Sequence, residues 1–157
     1  MGRKVILEKV KQCCLAVLLM SAVVGCASKN LEMSQKVAYT AYKEKEYATA
    51  AKSFAKLVEN IPQDADLWFR LGNSYARTSR PQKAVTAFEN ALLRDPGMTK
   101  AWYNMGIIYL QQSLKAFVDM ELYVDSQDPI AIQGNKLQQQ IFLLLEEPIP
   151  ALPENDE

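Results

Sequence analysis

WFRLGNSYARTSRPQKAVTAFENALLRDP, residues 68–96, is the stretch on which the fold turns. Trp68, Leu71, Gly72 and Tyr75 recur at spacings of one to four, which puts them on adjoining faces of one helix. Ala84, Phe88 and Ala91 repeat that spacing beyond a break at Thr78-Ser79-Arg80. Pro81 follows the break, in a first helical turn where proline is tolerated. Pro96 closes the second segment, because proline lacks the backbone donor and clashes with the preceding turn.

The pattern is periodic. Trp68 returns as Trp102, Gly72 as Gly106 and Tyr75 as Tyr109, each 34 residues on. Stepping back by the same interval from Ala84, Phe88 and Pro96 lands on Ala50, Phe54 and Pro62. A fixed period of this length marks stacked supersecondary units. Residues 68–96 read Trp-x2-Leu-Gly-x2-Tyr-x8-Ala-x3-Phe-x2-Ala-x4-Pro, which resembles the tetratricopeptide repeat (TPR) signature at Trp68, Leu71, Gly72, Tyr75, Ala84, Phe88, Ala91 and Pro96. The resemblance implies an all-α solenoid of about three helix-turn-helix repeats, each a pair of antiparallel helices. Gly72 and Ala84 are expected at the touching point of one pair, where a larger side chain would force the helices apart at a cost of about 1–3 kcal/mol.

The expected repeats cover residues 31–64, 65–98 and 99–129. The first is degenerate in its opening half, with Ser34 and Ala41 at the Trp and Tyr places. In the third, Tyr109 to Ala116 spans two residues fewer than Tyr75 to Ala84, so a shortened turn is expected there, with Ala116, Met120 and Tyr123 on the second helix. Residues 130–147 read as a capping helix over the open end, with Ile130, Leu137, Ile141, Leu144 and Leu145 inward and Gln138, Gln139 and Gln140 in water. Residues 148–157, rich in proline and acid, read as a disordered tail.

The other end is an address. Arg3, Lys4, Lys9 and Lys11 precede an apolar run over residues 13–24, too short for the roughly 30 Å hydrocarbon core of a bilayer. Basic, apolar and then small residues are signal-peptide grammar, assigned to 1–25. Val23-Val24-Gly25-Cys26 resembles the lipobox of bacterial lipoproteins. That resemblance implies cleavage before Cys26, acylation of its thiol, and a short tether over 26–30. Two acyl chains suffice for stable anchoring. Ala27 and Ser28 lack the Asp that in that family retains lipoproteins at the inner membrane, so the expected location is the outer membrane, periplasmic face.

Composition narrows the function. The 157 residues balance 18 Lys+Arg against 18 Asp+Glu and contain no histidine. No imidazole is available as base or metal ligand. Removing residues 1–25 takes four basic residues and one acidic one and leaves a formal charge of minus three. Nucleic-acid binding needs clustered positive charge, so no nucleic-acid partner is expected. No phosphate-binding glycine loop or nucleophile elbow occurs, and Asp64 with Asp66 falls in an inter-repeat turn, where acids cap helices. The expectation is no enzyme, no cofactor and no metal.

What remains is binding. The first helix of each pair lines the inner surface of such a stack. By helical phase that surface carries Gln35, Tyr39, Tyr42 and Lys43, then Asp66, Phe69, Arg70, Asn73 and Arg77, then Lys100, Tyr103, Asn104 and Ile107. The candidate peptide-binding groove is Tyr39, Tyr42, Phe69, Arg70, Asn73, Arg77, Lys100, Tyr103 and Asn104: aromatic and amide groups suited to an extended polypeptide. Asn73, Lys100 and Asn104 partly match a TPR subfamily that clamps a terminal carboxylate, but Gln35 and Tyr39 stand where that clamp has Lys and Asn. The expected role is a membrane-anchored scaffold for another envelope protein or peptide, in the manner of assembly factors for pili or secretion systems. The alternatives are a docking regulator of peptidoglycan enzymes or outer-membrane protein assembly, and a self-associating structural repeat.

Overall fold

A computed structural model describes residues 30–146, so the signal peptide, Cys26 and the segment from 147 onward lie outside the described residues. Six helices account for nearly all of it. Helix α1 covers 30–43, α2 Tyr47–Asn60, α3 Ala65–Arg77, α4 Pro81–Arg94, α5 Thr99–Glu121 and α6 Pro129–Glu146. Each packs on its neighbour in sequence, and the six pair as TPR helix-turn-helix repeats.

The turns that fold the first two pairs repeat with the sequence. Lys45 and Ser79, 34 residues apart, both take positive φ, at 61° and 56°. Neither is glycine. Each sits in a helix-ending turn in which the next amide reaches back five residues, Glu46 N donating to Ala41 O at 2.8 Å and Arg80 N to Tyr75 O at 3.0 Å. These bonds satisfy carbonyls left over at a helix C-terminus. The turns between pairs repeat too. Trp68 Nε1 donates to Pro62 O at 2.9 Å, and Trp102 Nε1 donates to Pro96 O at 3.0 Å. A ring from the incoming helix thus pins the carbonyl of the proline before it. Asp64 caps α3 by accepting from Asp66 N and Leu67 N.

The core runs between the pairs in two linked clusters. Ala38, Ala50, Phe54, Leu57, Leu67 and Leu71 form one, and Phe69, Ala84, Phe88, Ala91, Ala101, Met105 and Ile108 the other. Trp68 and Tyr75 pack against both. Gly72 is where α3 and α4 touch. A Cβ there would lie 2.5 Å from Phe88 Cε1, a ring that is itself fully buried.

The third pair departs from the expectation. No turn separates Tyr109 from Ala116. Helix α5 continues without a break to Glu121, and Ser113, 34 residues after Ser79, lies inside it with its hydroxyl on Tyr109 O. The place of Pro81 is taken by Lys115, so nothing forbids the helical conformation there, and Lys115 adds an ion pair to Asp119 at 2.6 Å. Helix α6 is the partner of α5, not a separate cap. Asp128 caps it, accepting from Ile130 N at 2.7 Å. It turns Ala131 and Gly134 inward, the latter against Met120 and Phe117. Ile130, Leu137 and Leu144, expected inside, are exposed, while Gln138, expected in water, is half-buried. The apolar residues of α6 occur at nearly every position, so their phase did not single out one face.

Candidate binding surface

Helices α1, α3 and α5 lie side by side, and two chains of polar contacts cross them. The first centres on Asp66. Its carboxylate accepts from the Tyr39 hydroxyl on α1 at 3.1 Å, from Arg70 Nε one turn along α3 at 2.6 Å, and from Lys100 Nζ on α5 at 3.5 Å. The second runs at a constant interval of 31 residues. Asn104 Nδ2 donates to Asn73 Oδ1 at 2.7 Å, and Asn73 Nδ2 donates to the Tyr42 hydroxyl at 3.1 Å.

Aromatic rings fill the space between these chains. Arg70 stacks its guanidinium 4.7 Å from the Tyr39 centroid and 5.5 Å from that of Tyr42. Both tyrosines set edges against the buried Phe54, with centroids at 5.4 and 6.0 Å. A tyrosine whose ring packs while its hydroxyl reaches a partner is held at both ends.

The electrostatics follow from half-burial among opposite charges. Burial alone would raise the Asp66 carboxyl, but the Arg70 hydrogen bond and charge, with Lys100 and the Tyr39 hydroxyl, hold it below the ordinary carboxylate value. Burial and the adjacent Asp66 carboxylate push the Tyr39 hydroxyl up to about 12. For Arg70, burial works against the charge and Asp66 outweighs it, so the guanidinium is held more firmly than usual. Two cations meet one anion here, and the three groups neutralise most of the charge that the sequence suggested was free.

Of the nine groove residues named from the sequence, Tyr39, Tyr42, Arg70, Asn73, Lys100 and Asn104 come together in this lattice. Arg77 is exposed at one end, its guanidinium 5.7 Å from the Tyr47 centroid. Tyr103 turns to a different side of α5, where it lines an open groove with Gly106 and Leu110. Phe69 is not a groove residue. It is 8% exposed and packs on Phe88 at 5.8 Å between centroids, with only Lys100 Nζ above its other face, at 4.4 Å. Asp66, read as a capping acid, is the residue that organises the surface. Two intervals pointed to it: Arg70 follows by four, an ion-pair spacing on a helix, and Lys100 by 34, one repeat.

The surface offers hydrogen-bonding groups already ordered by one another. Among the described residues there is no cluster of three or more His, Cys, Asp or Glu placed to hold a metal, and no helix is long and apolar enough to cross a membrane.

Residues 65–98 match the tetratricopeptide repeat family model. Over 81 residues, 52% of this chain, the sequence is 32% identical to the peroxisomal targeting signal receptor of Candida albicans, and over 68 residues it is 34% identical to the general transcriptional corepressor trfA of Dictyostelium discoideum. The matched parts are 14% and 5% of those proteins' lengths. In structure, the chain is similar to the type III secretion chaperone SycD of Yersinia enterocolitica in complex with a peptide of the translocator YopD, with a TM-score of 0.52, 17% identity, and 75% of this chain and 96% of that one covered. It is also similar to the TPR2B domain of yeast Sti1 in its complex with a pHsp70 peptide, with a TM-score of 0.51, 14% identity, and coverage of 73% and 97%. Repeat spacing, hairpin turns, inter-repeat packing and these likenesses agree: the chain carries a tetratricopeptide repeat at residues 65–98, and its six described helices pack as TPR helix-turn-helix repeats.

Proposed function

We propose that this protein is a lipid-anchored TPR scaffold that binds an extended segment of another envelope protein on the wall formed by α1, α3 and α5. The carrying observation is the lattice through Asp66 and through Tyr42, Asn73 and Asn104, which fixes amide, hydroxyl and guanidinium groups in one wall before any ligand arrives. Ordering side chains on binding costs about 0.5–1.5 kcal/mol each, and a wall ordered in advance avoids much of that. An extended segment supplies backbone donors and acceptors to the amides and apolar side chains to the tyrosine rings. That SycD and the Sti1 TPR2B domain are each known in complex with a peptide is in keeping with this use of the fold.

The basic and apolar leader and the Val23-Val24-Gly25-Cys26 segment support anchoring through Cys26 at the periplasmic face of the outer membrane. Such a position suits an assembly factor for a pilus or secretion system, holding a client close to the bilayer. The test is affinity capture of the full chain from solubilised membranes. Pilus or secretin components should be recovered, and the Asn73→Ala/Asn104→Ala double variant should lose them while keeping its helical circular dichroism. Recovery of cell-wall synthases or hydrolases instead would move the role to the regulation of peptidoglycan enzymes. Cys26→Ala should release the protein from the membrane fraction, and retention of a mature form would contradict the anchor.

A further inference from the structure

The side of α5 that carries Trp102, Gly106 and Tyr109 is the face on which a TPR seats its second helix. In the preceding repeat that place is full: a Cβ on Gly72 would strike Phe88 at 2.5 Å. At Gly106, one repeat later, a Cβ would meet nothing within 4 Å. Trp102 is 53% exposed and Tyr109 47%, and with Tyr103, Ile107, Leu110 and Ser113 the site opens as a groove of about 460 Å³. The cause is the missing turn. Because α5 runs on to Glu121, its partner α6 starts 20 Å or more farther along the axis, at about 1.5 Å per residue, and seats Gly134 on Phe117 and Met120 instead.

The same chain carries the missing knob. Phe142 and Leu145 on α6 keep the spacing of Phe54 and Leu57, the pair that fills the first repeat, yet Phe142 is 50% exposed with Leu143 and Leu144 beside it. Most exposed large apolar side chains lie at or beyond Trp102, and only Met33, Val37, Tyr39 and Leu93 precede it. From Ala101 to Leu114 no residue is charged, and between Pro129 and Leu145 only Lys136 is. Contiguous apolar surface without charge is what the core of an interface requires.

We infer that the Gly106 groove is filled by Phe142 of a second copy of this chain, and that the contact is reciprocal, each copy giving its α6 knob and taking its partner's. A two-fold pair of this kind satisfies both faces at once. It leaves the wall of α1, α3 and α5 on each copy free, so client binding and self-association are separable.

The test uses two differently tagged full-length chains, co-expressed, solubilised in mild detergent and kept reduced so that Cys13, Cys14 and Cys26 form no links. Capture of one tag should recover the other. Gly106→Leu, whose side chain enters open space within the monomer, and Phe142→Glu should each lower that recovery about tenfold or more, a factor equal to roughly 1.4 kcal/mol. Circular dichroism of Gly106→Leu should match the parent. Co-expressing a Gly106→Leu copy with a Phe142→Glu copy should restore part of the recovery, because one groove and its knob remain intact; two chains that merely share a micelle show no such rescue. The inference is overturned if the parent chains do not co-capture, the groove being covered then by residues 147–157 or by another protein. Co-capture indifferent to both substitutions overturns it equally.

Discussion

Placing a methyl group at each of two glycines one repeat apart should move stability in opposite directions. In Gly72→Ala the new Cβ would stand 2.5 and 2.6 Å from two carbons of the Phe88 ring, which is fully buried and has no free space to retreat into. Overpacking of this kind costs about 1–3 kcal/mol, while replacing a helical glycine by alanine returns up to about 1 kcal/mol. The net expectation is a loss of about 1–2 kcal/mol. In Gly106→Ala the same methyl meets nothing within 4 Å, so the helix-propensity gain of about 0.5–1 kcal/mol stands alone. For a folded unit of this size each kcal/mol moves the midpoint by roughly 4 °C. Thermal melts followed by circular dichroism at equal protein concentration should therefore place Gly72→Ala some 4–8 °C below the parent and Gly106→Ala a few degrees above it. Equal shifts of the same sign would refute the reasoning, since they would mean that the α3–α4 contact and the open face of α5 are alike.

Three further outcomes follow from the lattice and the core. Asp66 is held below its ordinary value in the folded protein, so its contribution is present above the unfolded value of 3.8 and is lost as pH falls through the lower folded one; melting midpoints of the parent should drop in that acid window, and those of Asp66→Asn should drop less. Tyr39 titrates the other way: its stabilising protonated form is complete below the ordinary value of 10.0 and is lost as pH rises toward about 12, so ultraviolet titration should show one late tyrosinate that disappears in Tyr39→Phe. Phe69→Ala, which a groove residue would tolerate, should cost about 3–5 kcal/mol and be read as a large fall in urea midpoint, because the ring fills the core against Phe88.

The sequence made the first two repeats legible because their signals are local and redundant. Gly72 with Ala84, and the prolines after each second helix, all constrain the same pairing. The third pair was misread for a physical reason. Its alignment rested on Ala116, Met120 and Tyr123, residues that a continuous helix accommodates as readily as a hairpin does, and the break that proline enforces at Pro81 has no counterpart at Lys115. The groove was legible in outline, since helical phase placed Tyr39, Tyr42, Asn73, Lys100 and Asn104 together. Phase alone could not tell that Phe69 is drawn inward by Phe88, nor that Asp66 gathers three donors from three helices. Those outcomes depend on distances between helices far apart in sequence, which a period of 34 implies without specifying. The left-handed turns at Lys45 and Ser79 carried no glycine to announce them.

The most direct test of the central claim, that the wall of α1, α3 and α5 grips another polypeptide, is in-cell photo-crosslinking from a single residue. A photoreactive amino acid at Asn104, on the wall, is compared with one at Glu89, exposed on α4. A discrete crosslinked partner at Asn104 that is absent at Glu89, and lost when Asn73 is also replaced, is the predicted result. An equal or stronger crosslink from Glu89, with none from Asn104, would place binding on the opposite face and contradict it.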